Sequence, residues 1–277
     1  MKKSLLFALL LLPLFVFPQH TIKGFFSPAE DFNWAILYRT TAGTAMYAAD
    51  TRSNAQGEFT LTLNGDIAPG HYYIVYGTPQ EEKNFNLIYN GREDVALTYS
   101  VEKGVRFTAS RENVLWQNYV EAMAQLNSEI GTLYKGKKHR KKAFKKLFEE
   151  KDKMQQTYEA ASQGLLVQNF IKASRPYIPK KYKYEAAEVY AKNTRAAYFK
   201  NTPVTNEFLQ NSRFISRRIS KYVNTKDDLS TVAAYLKPAS AAFKKDVYLS
   251  LWRESTAAGA LHMAKYLSKN YLLPVAT

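Results

Sequence analysis

The feature that most constrains the fold is a change in the period of the apolar pattern near Ser110. Before this residue, apolar and polar side chains alternate, and aromatic and β-branched residues are frequent, which is typical of antiparallel strands. After it, apolar residues recur at the three- and four-residue spacing of an amphipathic helix. We therefore predict an α+β chain in which an antiparallel β-sandwich domain, residues 20–110, precedes a basic α-helical domain, residues 111–277.

Turn-forming residues divide the first part into short strands. Segments 54–57, 64–66 and 90–91 contain the Asn, Gly and Asp residues that tolerate a positive φ angle in tight turns. Between such turns the apolar residues alternate, so one face of each strand is expected to meet a core. About eight strands are predicted, at 22–25, 35–38, 46–49, 59–63, 72–76, 85–89, 95–99 and 105–107.

The second part is predicted to begin with a helical hairpin. Ser110 is a good N-cap, and an apolar stripe from Leu115 to Leu133 ends at Gly136. A second stripe runs from Phe144 to Ala161 after a short connection, which favours two antiparallel helices. Further helices are expected at 165–173, 184–199, 206–222, 226–236, 239–252 and 256–271.

The first residues resemble a secretory signal. Lys2 and Lys3 precede an apolar run from Leu5 to Phe17, so residues 1–19 are predicted to be a signal peptide. A membrane-spanning helix needs about 20 apolar residues, and no later stretch approaches that length. We expect a mature chain without a transmembrane segment, exported to the periplasm or to the periphery of the outer membrane.

Charge is distributed unevenly between the two parts. Residues 20–110 hold seven Lys/Arg against ten Asp/Glu, a net charge of −3, whereas residues 111–277 hold thirty against fourteen, a net charge of +16. The second part is therefore expected to face an anionic partner. In an exported protein this means lipid headgroups, lipopolysaccharide, acidic glycan or a protein partner, and nucleic acid is not expected.

The most distinctive cationic feature lies at the end of the predicted hairpin. We call it the basic tip and predict it to be a patch that binds anions. A merely solvated tip is the alternative interpretation, because blocks of like charge are common on exposed helices. The members of the basic tip are Lys135, Lys137, Lys138, Arg140, Lys141, Lys142, Lys145 and Lys146.

The sequence contains no recognisable catalytic or metal-binding pattern. It has no cysteine, which excludes disulfides, thiol catalysis and thiolate metal sites. Its four histidines are scattered without the close spacing of a zinc motif, and no nucleophile has an evident base. We predict a protein that is not an enzyme and that has no catalytic residue, metal or cofactor.

One segment of the helical part interleaves aromatic residues with lysines, at 175–184. Such a pattern can stack sugars or single-stranded nucleic acid. Its prolines instead favour an extended connector whose aromatic side chains pack against the protein while the lysines reach water.

Several short stretches carry a resemblance to a known family. The opening Thr21-Ile22-Lys23-Gly24, then Asp50-Thr51 followed by Gly57-Glu58-Phe59, and residues 69–74 resemble the small β-domain of unknown function that precedes the thioredoxin module in bacterial TlpA-like thiol:disulfide oxidoreductases. The helical part is similar to the linker region of the same proteins. Residues 201–203, a helix ending in Tyr222 and residues 259–266 carry that similarity.

The resemblance implies a role near thiol:disulfide exchange but transfers no active site. In that family the region leads into a thioredoxin domain with a Cys-x-x-Cys pair, and this sequence has no cysteine. Our first hypothesis is a non-catalytic binding or scaffold protein of the bacterial cell envelope. The second is the accessory front part of such an oxidoreductase, and a third, weaker one is a glycan-binding module.

Overall fold

The computed structural model describes residues 20–41, 44–65, 67–136 and 140–273. The predicted signal peptide lies outside the described residues.

Eight strands form the first part of the described chain, and each overlaps one of the predicted strands. They form two four-stranded sheets, ordered β4-β1-β7-β8 and β3-β2-β5-β6. The strands are β1 His20–Ser27, β2 Trp34–Thr41, β3 Thr44–Arg52, β4 Glu58–Leu63, β5 Gly70–Val75, β6 Asn84–Tyr89, β7 Val95–Ser100 and β8 Gly104–Ala109.

Side chains from both sheets share one core. Ile22, Leu37 and Ile74 have none of their surface exposed. The ring of Phe59 lies across Gly24 of the neighbouring strand, where an added Cβ would come within 2.0 Å of the ring, so this position requires glycine. Strand pairing is antiparallel except between β1 and β7, which run parallel.

Nine α-helices follow within the described residues, so the predicted α+β class with the sheets first is confirmed. The first two form the predicted antiparallel hairpin, since Tyr119 near the start of α1 bonds Gln155 near the end of α2. The helices are α1 Arg111–Lys135, α2 Lys141–Ala161, α3 Gln168–Ala173, α4 Ala187–Ala196, α5 Glu207–Gln210, α6 Phe214–Tyr222, α7 Lys226–Leu236, α8 Ala241–Ala257 and α9 Leu261–Leu267.

Three predicted helices are wrong in their extent, and the helix expected to end at 252 continues to Ala257. The helix expected at 206–222 is two helices, because the Ser212 hydroxyl donates to the carbonyl of Leu209 and accepts from the N–H of Phe214, which ends α5 and starts α6. The helix expected to start at 256 begins later. Residues 256–257 still belong to α8, and Gly259, with a φ of 70°, separates α8 from α9.

Helix α1 joins the edges of the two sheets. Its Asn113 side chain accepts from the N–H of Ile88 and donates to the carbonyl of the same residue, both at 2.7 Å, on edge strand β6. One turn later, Gln117 accepts from the N–H of Phe107 and donates to the carbonyl of Val105, both at 3.1 Å, on edge strand β8. Two amides therefore complete two strand edges that would otherwise expose unpaired backbone groups.

The helical core also reaches the sandwich directly. Ile88 of β6 is buried within the helical core, and His71 of β5 meets the ring of Phe170 of α3 at 5.9 Å. No helix of the described residues is long and apolar enough to cross a bilayer.

Candidate functional site

The structure places the described members of the basic tip around the turn between α1 and α2. Lys137 and Lys138 lie outside the described residues. Each described member is exposed to solvent, and Lys145 Nζ lies 3.6 Å from Glu149 Oε1 in a surface ion pair, which contributes little stability. The described members are Lys135, Arg140, Lys141, Lys142, Lys145 and Lys146.

The start of α2 makes this charge unfavourable. Arg140 at the N-cap provides no side-chain hydrogen bond, and the first turn contains no acidic residue but does contain Lys141 and Lys142. A helix N-terminus carries a partial positive charge, so each cation there is unfavourable by about 0.3–1 kcal/mol. An anion bound at the basic tip would relieve both the dipole and the mutual repulsion of the cations.

A small aromatic core holds the tip in place. Phe144 and Phe148 of α2 are fully buried, and the ring of Tyr134 of α1 lies 4.5 Å from that of Phe144. The Tyr134 hydroxyl donates to the carbonyl of Glu185 at 3.1 Å. The end of the hairpin is therefore held in place by aromatic packing and a hydrogen bond.

The connector at 175–184 supplies the other side of this core. Tyr182 and Tyr184 pack against it, whereas Lys181 and Lys183 are exposed. The prediction that the aromatic side chains of this segment pack down while its lysines reach water is confirmed.

A second cationic site, which the sequence analysis missed, lies where α6 meets the sandwich. Arg213, Arg217, Arg218 and Lys221 of this segment line a cavity of about 340 Å³, which we call the arginine cavity. Its opposite wall comes from β5 and β6, through His71 and Asn86, and from Trp116 of α1. In the sequence, these four residues contributed only to the net charge of residues 111–277, although the four-residue spacing of Arg213 and Arg217 places them on one face of a helix.

Two of these arginines are held by aromatic rings. The guanidinium carbon of Arg213 lies 4.1 Å from the ring centroid of Tyr73, and that of Arg218 lies 4.4 Å from the ring centroid of Tyr198. Arg218 also donates from Nη2 to the carbonyl of Tyr198. These neutral contacts orient the guanidinium groups but leave their charge uncompensated.

No metal site and no relative point to a function. Among the residues that the structure describes, no three His, Asp or Glu side chains gather as ligands of a metal ion would. No family model matches the sequence, and no curated protein matches it. What this chain does has therefore to be inferred from its own charges and contacts.

Proposed function

We propose that this chain is an exported, non-catalytic binding or scaffold protein of the bacterial cell envelope, and that the basic tip is its contact with an anionic partner. The carrying observation is that exposed cations surround a helix N-terminus with neither a cap nor an acid. Local arrangements that oppose stability are expected where a surface serves function. Export itself rests on the signal-like pattern of Lys2, Lys3 and the apolar run that follows them.

Anionic lipid headgroups, those of lipopolysaccharide included, fit this patch best. A group of exposed lysines and arginine can contact a charged surface without needing a concave pocket, and each cation near such a surface contributes about 1 kcal/mol. The same cations could bind an acidic glycan or a protein partner, and a binding experiment separates these outcomes.

Co-sedimentation with vesicles tests the proposal. The mature chain should bind vesicles that contain phosphatidylglycerol and should not bind vesicles of phosphatidylcholine alone. The triple variant R140Q/K141Q/K142Q should bind the anionic vesicles about 100-fold more weakly, because it removes three contacts of about 1 kcal/mol each.

A charge-matched variant provides the control. Lys192, Lys200 and Lys265 are exposed and scattered over the helical part, so K192Q/K200Q/K265Q makes the same change in net charge elsewhere. It should lose far less affinity. Equal losses would show that only net charge matters, and unchanged binding by the tip variant would make the basic tip solvated surface. Binding to an acidic polysaccharide but not to vesicles would identify a glycan partner.

A second candidate function rests on the resemblance to the TlpA-like oxidoreductases. In that case the chain is the accessory front part of a thiol:disulfide oxidoreductase, and the binding surface serves an enzyme that carries the cysteines. An in-frame Cys-x-x-Cys domain in the coding DNA beyond Thr277 would support this candidate, and a stop codon there would contradict it.

A further inference from the structure

The arginine cavity has the dimensions and walls of a small-molecule site. Its volume of about 340 Å³ lies within the range of about 300–1,000 Å³ typical of ligand pockets. Trp116, Phe170 and Phe214 form an apolar wall, with ring centroids 5.3 Å apart for the first two and 5.0 Å apart for the last two. The cavity lies between sandwich and helices and shares no residue with the basic tip.

Arg217, like the other two arginines, is held by a neutral partner, which is Asn86. The Asn86 side-chain oxygen, in the amide orientation that satisfies both groups, accepts from Arg217 Nη1 at 2.9 Å and from Nη2 at 3.3 Å. No carboxylate lines the arginine cavity itself, whereas the neighbouring cavity that shares Arg213 and Arg217 is also lined by Glu81, Asp246 and Glu254. Arg218 Nε is buried with no hydrogen-bond partner.

The electrostatics of the cavity favour the entry of an anion. Arg217 keeps an exposed surface, and partial desolvation and the charge of Arg213 lower its pKa, whereas the charge of Glu254 raises it. Burial also lowers the pKa of Arg218. His71, on the opposite wall, adds no positive charge of its own, because burial and then the two nearby guanidinium groups lower its pKa to about 3 and leave it neutral. Arg218 is half-buried, and the lining of the cavity supplies no carboxylate to pair with its charge.

We propose that the arginine cavity binds a small organic anion with an apolar body. A carboxylate or phosphate group would meet Arg217 and Arg218, whose planar forks match such groups with two parallel hydrogen bonds. The body would lie against Trp116 and Phe170. A neighbouring cavity of about 570 Å³ shares Arg213 and Arg217, so a longer ligand has room to extend.

Tryptophan fluorescence tests the proposal directly. The chain has three tryptophans, Trp34, Trp116 and Trp252, so W34F/W252F leaves Trp116 as the reporter in the cavity wall. Phenyl phosphate and benzoate are the probes, because they present the two anion types on the same ring. Each probe is expected to change the Trp116 emission in a saturable way. The probe with the higher affinity shows whether the cavity prefers a phosphate or a carboxylate.

Variants at Arg217 separate specific binding from general charge. In the same background, R217Q should weaken binding by about tenfold or more, the effect of losing charge-assisted hydrogen bonds. R217K keeps the positive charge but loses the planar guanidinium. Its affinity should lie between that of the W34F/W252F background and that of R217Q. K192Q makes the same charge change at an exposed position that belongs neither to the arginine cavity nor to the basic tip, and it should leave the affinity unaltered.

Three results would overturn the proposal. The first is that neither probe changes the Trp116 emission in a saturable way. The second is that R217Q binds the probes as tightly as the background protein does. The third is inorganic phosphate binding as tightly as phenyl phosphate, since the apolar wall would then contribute nothing. The melting temperature of each variant shows whether it is folded. If R217Q does not fold, the affinity of R217K is compared with that of the background instead.

Discussion

At the scale of single residues, Lys151 is a lysine whose side chain is buried. It lies on α2 with 4% of its surface exposed, and its Nζ lies 3.4 Å from the Tyr190 hydroxyl. Burial lowers its pKa from 10.5 to about 8. The folded state therefore holds this proton less tightly than the unfolded chain, and the charged form destabilises the fold.

The cost of this lysine should depend on pH. Below pH 8 both states carry the charge and the fold bears the full cost, which corresponds to about 3 kcal/mol for a difference of this size in pKa. Between pH 8 and 10.5 the folded state loses the proton first, and the cost disappears. We expect K151M to be more stable than the native chain at pH 7, and the gap to close as the pH rises to 10.5.

Urea unfolding at pH 7, 8.5 and 10 measures this gap. K153M is the matched control, because Lys153 lies on the same helix but is exposed. It should show no such dependence on pH. A native chain as stable as K151M at pH 7, or a gap of constant size across the range, would contradict the account of Lys151.

At the scale of elements, the attachment of α1 to the sheets depends on two amides. Asn113 is 3% exposed and bonds both backbone groups of Ile88, whereas Gln117 is less buried and bonds Phe107 and Val105. An unsatisfied buried backbone group costs about 1–3 kcal/mol. We expect N113A to lower the free energy of unfolding by about 2–5 kcal/mol and Q117A by clearly less, because water can reach the groups that it frees.

Urea unfolding of the two variants measures the difference. N118A, at an exposed position of the same helix, is the control for any general effect of alanine on α1. Equal losses for N113A and Q117A, or losses no larger than that of N118A, would show that the amides do not secure the strand edges.

Elements whose signals are local could be predicted, and those that depend on distant partners could not. The eight strands and the hairpin follow from apolar period and turn residues. The parallel pairing of β1 with β7 places Ile22 opposite Val95, 73 residues later, so no short-range pattern predicts it. The break between α5 and α6 depends on one hydroxyl, that of Ser212, whose hydrogen bonds compete with the helix.

The two candidate sites differ in the same way. The members of the basic tip lie close together in the sequence, so this patch was visible there. The arginine cavity combines Arg213 with strand residues more than 120 positions earlier, namely His71 and Asn86. Composition places the charge in the helical part, but only the fold shows which cations share a cavity.

At the scale of the whole molecule, self-repulsion opposes the fold. Residues 111–277 carry a net charge of +16, and the net charge of −3 on residues 20–110 offsets only a small part of it. The Debye length falls from about 30 Å at 0.01 M salt to about 10 Å at 0.1 M, so moderate salt screens most of this repulsion. The folded protein, in which the charges are closest, should gain more from screening than the unfolded chain.

We therefore expect the melting temperature to rise by about 3–6 °C between about 0.01 and 0.2 M NaCl, the shift that corresponds to 1–2 kcal/mol in a chain of this size. Because the basic tip combines close cations with an unfavourable helix dipole, R140Q/K141Q/K142Q should melt higher at low salt and respond less to added salt. The scattered variant K192Q/K200Q/K265Q should keep more of the response. A melting temperature that falls with salt, or equal responses from the two variants, would show that the tip holds no concentrated repulsion for an anion to relieve.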